Sequence, residues 1–128
     1  MNVLFVCRQN AGRSQMSAAL FARAANGRHR ADSAGTEPAA HVHPEVLAVM
    51  EEVGIDLADR KPQRLTDVLA ERADVVVTMG CGDACPYIPG KRYIDWDLPD
   101  PQDRPLAEVR ALRDEIARRV ERLAAELG

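Results

Sequence analysis

Aromatic side chains and long apolar stretches are scarce in this chain of 128 residues. Phe, Trp and Tyr make up only 4% of it, which argues against a surface that stacks nucleic-acid bases, so no nucleic-acid partner is expected. No stretch reaches the roughly 18 apolar residues that a membrane helix needs, and residues 1–6 are too short an apolar region for a secretion signal. We therefore expect a cytoplasmic protein without a membrane partner.

The chain also lacks an excess of positive charge. Seventeen Lys and Arg residues against 20 Asp and Glu residues give a net charge of -3, so the overall field does not attract anions and any anion site must be built locally. Its 3 cysteines are an odd number without a secretion signal, which disfavours a framework of structural disulfides. The thiols are expected to be either buried or chemically active.

Short β-branched runs alternate with helical spacings along the chain. The runs that predict strands cover 3–6, 29–33, 74–79 and 93–98. The spacings that predict helices cover 14–27, 44–53, 65–73 and 106–127, with Ser14 capping the first. The alternation predicts an α/β fold in one domain over residues 1–128: an open four-stranded parallel sheet with helices on both faces. Such sheets bind ligands beyond the carboxyl ends of their strands, where Cys7, Cys81 and Asp100 would meet.

The spacing of Cys7, five residues, Arg13 and Ser14 between a strand and a helix favours an anion site. Backbone N–H groups of such a loop and of the first helical turn can surround a tetrahedral anion, and Arg13 can bind two of its oxygens. The same donors, with the Ser14 hydroxyl, would stabilise a Cys7 thiolate that acts as a nucleophile. A buried cysteine and a surface arginine are the alternative. The predicted oxyanion-binding residues are Arg8, Gln9, Asn10, Ala11, Gly12 and Arg13.

Three stretches carry a resemblance that covers nearly the whole chain. The stretch from Val3 to Cys7 with that from Asn10 to Met16 resembles the active-site loop of the low-molecular-weight protein tyrosine phosphatase superfamily, and 32–36 resembles its second signature. The resemblance implies that family's four-stranded parallel sheet. It also implies that Asp100, followed by Pro101, is the general acid.

The stretch 78–86, which contains Cys81 and Cys85, is similar to the second-cysteine region of the arsenate reductases in this superfamily. That resemblance implies that Cys7 attacks arsenate and that Cys81 and then Cys85 carry the disulfide away. Arsenate is then the substrate, with phosphate or sulfate as mimics, and thioredoxin or a low-molecular-weight thiol is the external reductant. No bound cofactor is expected, and the protein is expected to be a monomer.

The spacing of Cys81 and Cys85 makes a structural demand. Side chains four apart on a helix have Cβ atoms about 6 Å apart, whereas a disulfide needs roughly 3.5–4.5 Å. The segment must therefore deform, and the sequence predicts mobility from about Gly80 to Gly90.

Other functions are not excluded by these motifs. A phosphatase would need only Cys7, Arg13 and Asp100, although Gln102 follows where tyrosine phosphatases carry a tyrosine. A non-catalytic oxyanion-binding or redox-sensing module is a third interpretation. No metal site is predicted, because only three histidines could join Cys81 and Cys85 and a structural zinc needs four ligands. His41 and His43 are expected to be solvated loop residues rather than metal ligands. Asp95 and Asp97 are the alternatives to Asp100, but they are expected to be surface carboxylates at a strand end. Trp96 is expected to pack in the core or at its rim rather than to contact substrate.

Overall fold

The structure, a computed structural model, describes residues 1–81, 87 and 89–128. Within them lie four strands: β1 (Asn2–Cys7), β2 (Arg30–Gly35), β3 (Val75–Thr78) and β4 (Arg92–Asp95). The helices are α1 (Arg13–Ala25), α2 (Pro44–Glu51), α3 (Asp67–Arg72) and α4 (Leu106–Leu127). The strands form one parallel sheet in the order β2-β1-β3-β4, which confirms the predicted fold class. None of the described helices is both long and apolar enough to span a bilayer.

Strand β1 is an inner strand of the sheet, and its pairing with β2 and β3 positions the loops that follow these three strands. Its last residues pair with β2 at Cys7↔Gly35 and with β3 at Val6↔Thr78. Because these pairs are parallel, the loops that follow all three strands leave the sheet at the same edge.

Alternate residues of β1 point to opposite faces of the sheet. Val3, Phe5 and Cys7 belong to a large core that includes residues of α1, α2 and α4. Leu4 and Val6 belong to a smaller cluster on the other face, which α3 covers. The prediction of helices on both faces is therefore confirmed.

Two predicted strand ends are displaced by two or more residues, because tertiary pairing outweighs the local pattern. Strand β2 runs to Gly35 rather than ending at residue 33, since it pairs with the whole of β1. Strand β4 ends at Asp95 rather than residue 98, although Trp96 still donates a hydrogen bond to the Thr78 carbonyl. Of the segment predicted to be mobile, residues 82–86 and 88 lie outside the described residues.

The predicted N-cap of α1 is wrong. The helix begins one residue before Ser14, its N-cap is Gly12, and no side chain caps it. The Ser14 hydroxyl lies instead 2.9 Å from the sulfur of Cys7. The Ser14 hydroxyl therefore contacts Cys7 instead of capping the helix.

One carboxylate joins α2 to α4 at the surface. Glu52, the C-cap of α2, accepts hydrogen bonds from Arg110 Nε at 2.9 Å and from Arg113 Nη1 at 2.7 Å. These hydrogen bonds, from Arg110 first and then Arg113, lower the pKa of Glu52 from 4.5 to about 2. The charged form of Glu52 is therefore favoured by folding.

This lowered pKa predicts a pH-dependent contribution to stability. Because the folded-state pKa lies below the unfolded-state value, the contribution is complete above pH 4.5 and is lost as the pH falls towards about 2. Glu52→Gln should lower the free energy of unfolding at neutral pH, and its difference from wild type should shrink across that window. Urea unfolding at a series of pH values measures this difference.

Glu51→Gln is the matched control. Glu51 is the exposed neighbour of Glu52 and forms no ion pair within the described part of the chain. Its difference from wild type should show no such step. An equal step for both variants would contradict the assignment to the two arginines.

Candidate active site

The loop between β1 and α1 directs its carbonyl groups outwards, to backbone N–H donors that lie around it. The carbonyls belong to Cys7, Arg8, Gln9, Ala11 and Gly12. Their donors, in the same order, are the N–H groups of Thr36, Glu37, Ala39, His43 and Met16, at 2.7 to 3.2 Å. Across a trans peptide bond, a carbonyl and the next N–H point in opposite directions, and the described residues contain no cis bond. The N–H groups that follow these carbonyls therefore point into the loop and form a nest for an anion.

The first turn of α1 adds to this nest. The first N–H groups of any helix lack acceptors within the helix, and no side chain caps them here. The positive end of the helix dipole lies at the same point. Loop and helix together make a local anion site in a chain whose net charge is negative.

Cys7 lies at the base of this nest. It is 2% exposed and has a free thiol. Its Sγ atom is 2.9 Å from Oγ of Ser14, which in turn accepts a hydrogen bond of 2.7 Å from Nδ2 of Asn10. Because Asn10 supplies a proton to the hydroxyl oxygen, the hydroxyl hydrogen is available to the sulfur. This is the geometry that the predicted thiolate requires.

Asn10 braces the loop rather than directing its side chain at an anion. Its φ of 52° is left-handed, a conformation that asparagine tolerates better than most residues. Its Oδ1 atom accepts hydrogen bonds from Nε2 of Gln15 at 3.1 Å and from the N–H of Gln63 at 2.9 Å. The side chain thereby ties the loop to α1 and to the segment before α3.

Arg13 is almost buried, with 9% of its surface exposed. Its Nη1 atom donates to the carbonyl of Leu98 at 3.0 Å, and Nη2 lies 3.9 Å from Oδ2 of Asp100. The guanidinium also lies against Gly80: a Cβ atom there would collide with Nη1 and approach Cζ to 2.9 Å. Arg13 therefore contacts both the loop that carries Asp100 and the residue before Cys81.

Asp100 lies at the rim of the nest. Its side chain is half-exposed, and Oδ1 accepts the N–H of Gln102 at 2.9 Å. The next residue, Pro101, packs on Gly12 so closely that a Cβ there would lie 2.6 Å from the proline Cγ. The loop that carries Asp100 is thus held against the anion loop, with Oδ2 on the side of Arg13.

Cys81 follows β3 at the same edge, but its side chain packs on the other face of the sheet. It is 9% exposed and belongs to the cluster of Leu4, Val6 and Val76, whereas Cys7 belongs to the core on the opposite face. Cys81 is disulfide-bonded, while Cys7 is free. Cys85, the third thiol of the predicted relay, lies outside the described residues.

The remaining sequence candidates lie away from the nest or at its edge. Arg8 is exposed and pairs with Glu37 at 3.2 Å. Asp95 accepts a hydrogen bond from Thr78 at 2.7 Å, Asp97 is exposed, and Trp96 packs near Phe5 with ring centroids 6.0 Å apart. Trp96 is thus confirmed as core packing. Within the described ranges, no group of three or more His, Cys, Asp or Glu residues is placed to hold a metal ion.

A groove of about 530 Å³ opens beside the anion loop. Gln9 and Gln102 form its border with the nest, so it lies between the loop of Cys7 and the loop of Asp100. The other lining residues include His41, His43, Leu57 and Arg60. His41 is exposed, in agreement with the expectation of a solvated side chain.

Sequence reasoning missed three features of the site. These are the bracing of Asn10 by the Gln15 side chain and the Gln63 backbone N–H, the Leu98 carbonyl that holds Arg13, and the close approach of Arg13 to Gly80. The left-handed conformation of Asn10 has a local signal in the sequence, since asparagine in a polar loop favours that conformation. The three missed features depend on contacts between segments and have no such signal.

Comparisons with known proteins identify the family of this chain. The family model of low molecular weight phosphotyrosine protein phosphatases matches residues 2–128. A glutaredoxin arsenate reductase from Synechocystis is 35% identical over 129 residues, which cover 98% of each chain.

Two solved structures have the same fold. A thioredoxin-dependent arsenate reductase from Corynebacterium glutamicum is 40% identical with a TM-score of 0.83; the match covers 98% of this chain but 60% of that protein. An arginine phosphatase from Geobacillus stearothermophilus is 28% identical with a TM-score of 0.85, over 98% of this chain and 92% of that one. The chain therefore belongs to the low-molecular-weight phosphotyrosine protein phosphatase family, as its motifs predicted, and it resembles the arsenate reductases built on that fold.

Proposed function

We propose that this protein reduces arsenate to arsenite with the thiols of Cys7, Cys81 and Cys85. The observation that carries the proposal is the position of the Arg13 guanidinium, which contacts both the loop of Asp100 and the residue before Cys81. The arginine that would hold the oxyanion thus lies against the loop of Asp100 and against the residue before Cys81, although the Cys81 side chain itself packs on the opposite face of the sheet from Cys7. The named activities of the relatives support the same reaction.

The first step uses only the anion site and Asp100. Arsenate lies in the nest with oxygens on the loop N–H groups and on Arg13. The Cys7 sulfur attacks arsenic, an As–O bond breaks, and the departing oxygen takes a proton from Asp100 and leaves as water. Arsenic remains pentavalent in the adduct on Cys7.

The next steps move two electrons from sulfur to arsenic. The Cys81 thiolate attacks the Cys7 sulfur, so an S–S bond forms and the electron pair of the S–As bond stays with arsenic, which leaves as arsenite. Cys85 then attacks Cys81, and Cys7 departs as a thiolate. An external dithiol, or two molecules of a low-molecular-weight thiol, reduces the remaining disulfide. The free thiol of Cys7 beside a disulfide-bonded Cys81 matches what this last exchange leaves at those two residues.

The relay makes one demand on the fold. In its disulfide-bonded state Cys81 packs in the apolar cluster on the α3 face, so the reduced thiol must take up a different position to reach the sulfur of Cys7. The positive φ of Gly80, 81°, is a conformation open mainly to glycine, and glycine crosses between backbone conformations at little cost. We place the turning point of the movement at this residue. A cytoplasmic location, a monomeric state and the identity of the reductant stay predictions.

A phosphatase is the second candidate function, and two observations favour it. Cys7, Arg13 and Asp100 suffice for hydrolysis of a phosphate monoester or phosphoramidate, and an arginine phosphatase has the same fold. The groove beside the nest could hold the organic group of such a substrate, which inorganic arsenate does not need. This activity would not use Cys81 or Cys85.

The hydrogen bond between Ser14 and Cys7 should be needed for thiolate reactivity. In a Cys81→Ser/Cys85→Ser background, where Cys7 is the one remaining cysteine, Ser14→Ala should slow alkylation by iodoacetamide at neutral pH about ten-fold, since a hydrogen bond to a charged group is lost. Ser17→Ala is the control: its hydroxyl bonds the Arg13 carbonyl at 2.7 Å and not Cys7. Equal slowing by both changes would contradict the role of Ser14.

The relay predicts a different stoichiometry for each cysteine variant. Reduced protein is mixed with arsenate without reductant, and arsenite is counted per protein molecule. Cys85→Ser should release one arsenite and retain a Cys7–Cys81 disulfide, whereas Cys81→Ser should release none, because nothing attacks the adduct. Steady NADPH oxidation with thioredoxin and its reductase should require all three thiols.

The phosphatase interpretation makes the opposite prediction for the same variants. Full turnover of a phosphate ester by Cys81→Ser, without arsenate-dependent NADPH oxidation by the wild-type chain, would replace the reductase proposal. Replacing thioredoxin with a low-molecular-weight thiol in the coupled assay identifies the class of reductant.

A further inference from the structure

Gly80 has an unusual position between the anion site and the segment of the second cysteine. Its φ is 81°, and the residue is exposed. The three atoms nearest to an added Cβ all belong to the Arg13 guanidinium: Nη1, Cζ and Nη2. The space that a side chain would fill at position 80 is therefore occupied by the group that binds the oxyanion.

The guanidinium has little room to yield. The Leu98 carbonyl holds Nη1 at 3.0 Å, and Asp100 lies 3.9 Å from Nη2. The side chain of Arg13 is 10% exposed, so a guanidinium pushed away from Gly80 would have to disturb its contacts with the Leu98 carbonyl and Asp100. A substituent at position 80 would thus displace the fork from the geometry that lets it bind two oxygens at once.

We propose that Gly80 is a positioning residue for Arg13: the absence of a side chain next to Cys81 is what allows the arginine to clamp the oxyanion. This inference deepens the proposed function and rests on its oxyanion site. It also makes Arg13 sensitive to the backbone of the residue that precedes Cys81. Binding of the oxyanion and the conformation at Cys81 are then linked, and each must affect the other.

Two effects of a substitution at Gly80 have to be separated. A side chain would be strained by the positive φ, and it would also collide with Arg13. Gly54 has the same φ of 81° and an added Cβ there would meet nothing within 4 Å. Substitutions at Gly54 therefore report backbone strain alone, far from the anion site, in the turn after α2.

The experiment compares matched pairs, Gly80→Ala with Gly54→Ala and Gly80→Asn with Gly54→Asn. Asparagine tolerates a left-handed backbone, so the second pair keeps the collision at position 80 while reducing the strain. The readout is the concentration of inorganic phosphate that protects Cys7 from iodoacetamide, measured beside Tm. Both Gly80 variants should need at least about ten-fold more phosphate than wild type for the same protection of Cys7, whereas both Gly54 variants should match wild type.

A double variant tests whether the effect passes through Arg13. Arg13→Lys removes the planar fork and itself weakens protection. If Gly80 acts by leaving room for the Arg13 guanidinium, Gly80→Ala should add little to the loss of phosphate protection already caused by Arg13→Lys, since both changes remove the same contact with the oxyanion. Losses that multiply, unchanged protection in both Gly80 variants, or an equal loss in the Gly54 variants would overturn the proposal.

The outcome is independent of the reductase assay. A wild-type chain that shows no arsenate-dependent turnover, together with the expected phosphate pattern, would remove the proposed function and leave the role of Gly80 standing. Turnover by the wild type with unchanged phosphate protection in the Gly80 variants would support the proposed function and overturn the role of Gly80.

Discussion

The hydrogen bonds that draw the carbonyls of the Cys7–Arg13 loop outwards are the constraint on which the rest of the site depends. Four of the five are made by N–H groups between β2 and α2, which reach the loop because Cys7 pairs with Gly35 at the end of the parallel ladder, and the fifth donor is Met16 of α1. Because these carbonyls point outwards, the N–H group that follows each of them across a trans peptide bond points into the loop. A site for anions therefore follows from strand register, before any charged side chain is considered.

Arg13 supplies the charge that the backbone cannot, and its burial needs compensation. A buried guanidinium loses hydration, which hydrogen bonds and opposite charge must replace. The Leu98 carbonyl and Asp100 provide both, and the loop that carries them is packed by Pro101 on Gly12. Asp100 and Arg13 are consequently placed by the same contacts, so a positive charge is held beside the loop in a chain whose net charge is negative.

Much of this arrangement is predictable from the sequence. The apolar runs located β1 and β3, the helical spacing located α4, and the Cys7–Arg13 spacing located the anion loop, because each of these signals is local. The end of β2, the first residue of α1 and the bracing role of Asn10 were misjudged or missed, since they are decided by partners far along the chain, such as β1 and Gln63. The close approach of Gly80 to Arg13 leaves no trace in composition or periodicity. It exists only once two segments that are 67 positions apart have folded together.

The placement of Cys81 among Leu4, Val6, Ala34, Ala73 and Val76 has a kinetic consequence. In the disulfide-bonded state that the structure describes, this residue is 9% exposed and lies among aliphatic groups. Attack on a disulfide requires access to its sulfur, so a reductant reaches Cys81 only when this packing loosens. The rate at which the disulfide is reduced is then controlled in part from the α3 side, by aliphatic residues that lie away from the anion loop.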